Sequence, residues 1–170
     1  NTESFVPLNF NDAILAALSI MEPQLKQSGI KLNTNIPSEP VLIIGDQQRL
    51  EQVIINLIRN AIDALDDTEF PSITISLHKS NSVKFSICDN GKGISDLETL
   101  FEPFQTSKDP AKGLGLGLAI SSNIISELGG SLSGENITPR GAEFTIKLPL
   151  FDPSRVNVVE DKQTKMNEKL

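Results

Sequence analysis

The sequence predicts an α+β fold, a two-layer α/β sandwich in which helices cover one face of a mixed sheet. Three observations predict it. Two stretches, about 47–65 and 116–128, carry apolar residues at helical spacing and stand apart from several short alternating segments. Most of those segments follow one another as hairpin partners instead of alternating with helices, which argues against a doubly wound parallel sheet. The 170 residues, 38 % of them apolar, suffice for one domain with one core.

Each element has a local reason. Asn11 or Asp12 can cap a first helix whose apolar side runs Ile14, Leu15, Leu18 and Met21, with Gly29 stopping it. Lys31 to Ile36 and Val41 to Ile44 follow as short strands split by Pro37 and Pro40. Asp46 caps the strongest helix, about Gln47 to Leu65, with Leu50, Val53, Ile54, Leu57, Ile58, Ala61 and Leu65 on one face. Ser72–Leu77 and Val83–Cys88 form a hairpin around Ser80-Asn81. A further helix runs from about Leu116 to Leu128 and stops at Gly129-Gly130, after which Leu132 onward pairs with Ala142–Leu148. Residues 91–115 have weak periodicity, and a stretch that long inside a domain is usually functional or mobile.

Residues 1–150 are the expected domain, and 151–170 a polar extension. In that extension Asp152, Glu160, Asp161 and Glu168 cancel Arg155, Lys162, Lys165 and Lys169, so the net charge of −7 lies within 1–150. An acidic balance with a pI near 4.7 disfavours nucleic acid or anionic membrane as a general partner, because both are held mainly by Lys and Arg. One Cys excludes an internal disulfide, and one His with one Cys excludes a His/Cys zinc cluster. The chain starts at Asn1 with no signal peptide and no apolar stretch of membrane length. Cys88 in an apolar run suits a reducing compartment. The expectation is a cytoplasmic domain without membrane contact of its own, excised from a larger protein whose relation to the membrane stays open.

Three constellations carry chemistry. On the long helix, Gln52, Asn56, Arg59, Asn60 and Asp63 fall on one polar stripe opposite the apolar face. An ordinary solvated face favours Glu and Lys, whereas Asn is a poor helix former. Two Asn one turn apart offer neutral carbonyl oxygens to a hard cation, or amides to a phosphate. The strand ending at Cys88 runs into Asp89-Asn90-Gly91-Lys92-Gly93-Ile94, where bare backbone lets a flat ligand approach and an ionised Asp accepts from an amino group. An ordinary Asx-Gly turn is the plain alternative. Gly113-Leu114-Gly115-Leu116-Gly117-Leu118 then flows into a helix, an arrangement suited to phosphate. It is neither the Rossmann nor the Walker-A pattern, and the H-R-D and D-F-G signatures are also missing. Five of the eleven Gly lie between residues 91 and 117, a concentration that makes these loops the place to look. Lys108 and Lys112 lie between the glycine runs and add local positive charge.

With these elements in order, the sequence resembles the ATP-binding domain of sensor histidine kinases, within the gyrase/Hsp90/histidine kinase/MutL superfamily. Four boxes carry the resemblance: Asn56-Leu57-Ile58-Arg59-Asn60-Ala61 (N), Asp89 to Ile94 (G1), Phe101-Glu102-Pro103-Phe104 (F) and Gly113 to Gly117 (G2). The run Phe104-Gln105-Thr106-Ser107-Lys108 looks most like the nitrogen-regulation and dicarboxylate-sensing subgroup. The likeness implies the Bergerat fold, with ATP and Mg²⁺ as ligands. It implies that Asn60 binds the metal, with Asn56 beside it facing the phosphates and Arg59 and Asp63 on the same stripe. Asp89 would take the adenine amino group in a pocket shaped by Gly91, Gly93 and Ile94. Thr106, Ser107 and Lys108 would lie in an ATP lid anchored by Phe101 and Phe104, with Lys108 near the phosphates. Gly113, Leu114, Gly115, Leu116, Gly117 and Leu118 would wrap the phosphates.

One position separates the sub-functions. ATPases of the superfamily place a Glu one turn before the metal-binding Asn, and here that position is Asn56. A neutral amide takes no proton from water, so ATP would be held for another nucleophile. The implied activity is that of a protein histidine kinase. Its phosphoacceptor His lies on a dimerisation domain outside this chain, and its downstream partner is a response regulator receiver domain. The only His, His78, sits on a strand without the acceptor motif and reads as a surface residue. By itself the fragment is expected to be monomeric. The alternatives are a superfamily ATPase that couples ATP to conformational change, and a non-catalytic scaffold.

Overall fold

In the computed structural model, which describes residues 5–104 and 116–154, the first element is a strand that the sequence pattern hides. β1 (Val6–Asn9) is four residues long and contains Pro7, too short and interrupted to show alternation. Its last residue, Asn9, caps α1 (Phe10–Gln27): the Asn9 side chain accepts from the backbone N–H of Asn11 at 3.1 Å and of Val41 at 3.0 Å. Neither Asn11 nor Asp12 is therefore the cap. Asn11 is buried inside the helix, and its Nδ2 donates to the carbonyls of Pro37 and Glu39 at 3.1 and 3.0 Å. The buried side of α1 is Phe10, Ala13, Ile14, Ala17, Met21 and Leu25. Leu15, expected on that side, is 59 % exposed, because the stripe passes through the two small alanines instead. Gly29, at φ +64°, follows the helix end as expected.

β2 (Lys31–Asn35) and β3 (Leu42–Gly45) belong to different sheets. β3 pairs antiparallel with β1 in a two-stranded sheet, whereas β2 is an edge of the main one. α2 (Gln47–Ala64) follows, capped by Asp46, whose carboxylate accepts from Gln48 and Arg49 N–H. All seven residues of its expected apolar face are buried. β4 (Ser72–Lys79), β5 (Ser82–Asp89), α3 (Gly117–Glu127), β6 (Ser131–Asn136) and β7 (Ala142–Pro149) complete the chain.

The main sheet has the order β2-β4-β5-β7-β6, parallel only at β2–β4, so it is mixed as expected. The parallel pair requires a crossover, which α2 supplies. Ile73, Ile75 and Leu77, Val83, Phe85 and Ile87, and Phe144, Ile146 and Leu148 are buried on alternate positions. Phe10 of α1 stacks on Phe85 with ring centroids 5.6 Å apart, joining the helical layer to the sheet. The other face carries Ser72, Thr74, Ser76, Lys84 and Ser86. His78 lies on it, exposed and opposite Lys84, as a surface strand histidine. No helix among the described residues is long and apolar enough to cross a membrane.

Candidate functional site

α2 carries the polar stripe between two neighbours, and burial divides it accordingly. Gln52 and Arg59 are exposed, whereas Asn56, Asn60 and Asp63 are half-buried. Asn56 Nδ2 donates to Ser121 Oγ of α3 at 3.3 Å, and Ser121 is fully buried. Gly117, which opens α3, sits over the same amide: a Cβ there would lie 3.9 Å from Asn56 Cγ. Leu116 occupies the N-cap position without a side-chain hydrogen bond, so it satisfies none of the orphan N–H groups that begin the helix. Leu118 packs against the core and orients that turn.

The Asp89–Ile94 run meets the C-terminal end of α2. Asp89, the last residue of β5, is 3 % exposed, and its Oδ1 accepts from Gly91 N–H at 2.8 Å. Burial pushes its carboxyl above the usual carboxylate range, and the N–H groups of Gly91 and Ala142 pull against that shift. Gly91 is buried against the Ala64 carbonyl, where any Cβ would collide with backbone. The next residue, Lys92, donates its N–H to that carbonyl at 3.1 Å. Asn90 ties the turn sideways: Oδ1 accepts from Ser72 N–H at 2.8 Å and Nδ2 donates to the Phe70 carbonyl at 3.0 Å. Gly93 has φ +79°, and Ile94 packs against the core.

Gly117 and Gly91 thus abut α2 at Asn56 and Ala64, eight residues and so about 12 Å apart along the helix. Between them lie Asn60 and Asp63. The arrangement has a polarity, with a buried carboxylate at one end and a helix N-terminus at the other. Thr106, Ser107, Lys108, Lys112, Gly113, Leu114 and Gly115 lie outside the described residues. Of the two expected anchors before them, Phe101 packs against the core, but Phe104 is 68 % exposed. Its φ of +66° belongs to the turn of residues 101–104, which leaves the ring in solvent. Leu100 packs against the core beside Gly134 of β6.

Ser121 and Asn90 are the residues that sequence reasoning passed over as functional. Ser121 lies one turn after Gly117 in a helix that also carries Ser122, Asn123 and Ser126, and that spacing is its only signal. Cys88 takes no part, since alternation puts it on the opposite face from Asp89. Its thiol donates to Glu143 Oε2 at 2.9 Å and is pushed up to about 12 by burial and that carboxylate.

Comparison with known proteins gives the family. Residues 45–152 match the family described as histidine kinase-, DNA gyrase B- and HSP90-like ATPase, and the chain belongs to that family. Within it, the likeness is to histidine kinases. The two-component sensor PprA of Pseudomonas aeruginosa is 35 % identical over 88 % of this chain and 17 % of its own length. The C4-dicarboxylate transport sensor protein DctB of Rhizobium meliloti is 35 % identical over 84 % of this chain and 23 % of its own. The chain therefore spans less than a quarter of either relative. The solved catalytic domain of histidine kinase ThkA superposes with a TM-score of 0.75 at 31 % identity, covering 85 % of this chain and 97 % of that one. ThkA is also solved in complex with the response regulator protein TrrA, with a TM-score of 0.71 at 28 % identity, over 86 % of this chain and 42 % of that one.

Proposed function

We propose that this chain is the ATP-binding catalytic domain of a two-component sensor histidine kinase. It holds Mg·ATP and presents the γ-phosphate to a histidine on a dimerisation domain outside this chain. The observation that carries this reading is the stretch of α2 from Asn56 to Ala64, with Gly117 and the start of α3 at one end and the Asp89–Ile94 turn at the other. An elongated ligand with a base at one end and a polyanion at the other matches that polarity. Asp89 accepts from the adenine amino group, in a pocket formed by Gly91, Gly93 and Ile94. Gly117 and the N–H groups opening α3 take phosphate oxygens, together with Gly113, Gly115 and the Leu114, Leu116 and Leu118 backbone. Thr106, Ser107 and Lys108, outside the described residues, would be the phosphate contacts of the proposed lid, with Arg59 and Lys108 supplying positive charge.

The side chains present fit a magnesium ion. Asn60 and Asn56 offer hard, neutral oxygens one turn apart, and Asn56 keeps Oδ1 available because its bond to Ser121 uses Nδ2. Among the described residues no group of three His, Cys, Asp or Glu is placed to hold a metal. An ion here would draw its remaining ligands from phosphates and water, as Mg²⁺ commonly does. When bound, the metal neutralises charge on the phosphate oxygens. Asn56, lacking a basic oxygen, leaves water unactivated, so the protein contributes positioning and electrostatics. A receiver domain of a response regulator is the downstream partner.

The test is calorimetric titration of ATP with and without Mg²⁺. Wild type is expected to bind more tightly with Mg²⁺, and Asn60→Ala to lose that enhancement, about tenfold for one charge-assisted contact. An unchanged Mg²⁺ effect in the variant removes the metal assignment. Adding a purified histidine-kinase dimerisation domain should yield acid-labile phosphohistidine. Sustained multiple-turnover hydrolysis by the chain alone would instead favour an ATPase, and ATP binding without phosphotransfer a scaffold.

A further inference from the structure

We infer that the turn between β6 and β7, residues 136–141, holds the Asp89–Ile94 loop in its ligand-ready shape, with Asn136 and Arg140 as positioning residues. The inference rests on the nucleotide reading of that loop. After Asp89 the backbone leaves β5 and has no further strand partner among the described residues, yet it must keep Gly91 and Gly93 in fixed places. Asn136 acts in place of a strand. Its Oδ1 accepts from Ile94 N–H at 2.6 Å while its Nδ2 donates to the Ile94 carbonyl at 3.0 Å, a two-point clamp on one residue. Gly93 permits the approach, since a Cβ there would lie 2.8 Å from Asn136 Oδ1. Arg140 takes the other end of the loop, with Nε donating to the Gly91 carbonyl at 2.8 Å.

The turn that presents both side chains is itself braced. Ile137 N–H donates to the Gly141 carbonyl at 3.0 Å. Gly141, at φ +121°, runs so close to the Asp89 carbonyl that a side chain there would collide with backbone. The loop is therefore held on three sides: by the end of α2 through Ala64, by Asn90 on Phe70 and the first residue of β4, and by this turn. The first two tethers use backbone or the loop's own side chain. Only the third uses side chains from outside it, and both Asn136 and Arg140 are exposed and contribute no burial to the core. Exposed side chains that grip only main-chain atoms flanking Gly93 have their effect on the shape of the base subsite, away from the phosphates.

Asn136→Ala, Arg140→Ala and the double variant test this by nucleotide titration, thermal melting and amide exchange. Asn136→Ala is expected to raise the dissociation constants of ATP, ADP and AMP by one common factor of about tenfold, since the lost positioning serves the shared base. Asn136→Asp keeps the acceptor but sets a carboxylate against the Ile94 carbonyl, and should lose at least as much. Melting temperatures should stay within about 2 °C, as for other exposed substitutions. Exchange of the Ile94 amide should accelerate without ligand while the core strands are unchanged. Unaltered affinity together with unaltered Ile94 exchange overturns the inference, as does a loss confined to ATP or a general fall in stability. A wild-type chain that binds none of the three nucleotides overturns the nucleotide reading itself, and this inference with it.

Discussion

Asp89 joins two demands that oppose each other: it is buried, and the proposed adenine contact needs it ionised. Its carboxyl is raised above the usual range by burial. Between the unfolded and folded values the native state holds the extra proton, so the contribution to stability is complete below the unfolded value and declines as pH rises through the folded one. Asp89→Asn removes that decline. The expected outcome is a variant whose melting temperature at neutral pH equals or exceeds wild type, with the advantage shrinking toward acid. Its affinity for adenine nucleotides should fall about ten- to a hundredfold, the loss of a hydrogen bond to a charged group. Melting curves across pH and parallel titrations check both, and a stability difference that ignores pH would remove burial as its cause. This residue was legible because a carboxylate at a strand end followed by two spaced Gly is a local pattern. Ser121 was not, since its partner Asn56 stands 65 positions away.

Elements divide in the same way. α2 could be read because its cap, stripe and length agree with one another. Its cap makes a specific prediction: Asp46 accepts from Gln48 and Arg49 N–H at 3.0 and 3.3 Å. Asp46→Ala should cost about 1 kcal/mol in denaturant unfolding with the slope unchanged. α1 was misread at its start because several candidate caps stood together in Asn9, Asn11 and Asp12. The choice fell to Asn9 because its side chain serves two backbone donors at once, including Val41 across 32 positions. β1 and the separate sheet it forms with β3 were invisible for a related reason. Short strands take their identity from the partner they pair with, which lies elsewhere in the chain.

At the scale of the whole molecule, Phe10 links the two layers. It is fully buried and stacked on Phe85 of the sheet, so Phe10→Ala opens a cavity between helix and strand. The expected cost is about 3–5 kcal/mol, a large part of the ~5–15 kcal/mol that holds a typical domain together. Chemical denaturation measures it, and a cost below about 1 kcal/mol would mean that the layers are joined elsewhere. The same packing sets the distance between α2 and the loops at its ends, so losses in the core should weaken nucleotide binding as well.

By itself the sequence determined the family, the mixed sheet beneath helices, and the residues of α2, of the Asp89 turn and of the glycine run from which the site is proposed. These are local patterns of residue type and spacing, which a chain carries whether or not it is folded. Tertiary structure decided what holds those patterns in place. Ser121 beneath Asn56, Ala64 against Gly91, and Asn136 and Arg140 on the backbone of residues 91–94 are contacts between segments far apart in the chain. Such contacts follow from the packing of helices on the sheet, and no spacing within one segment encodes them.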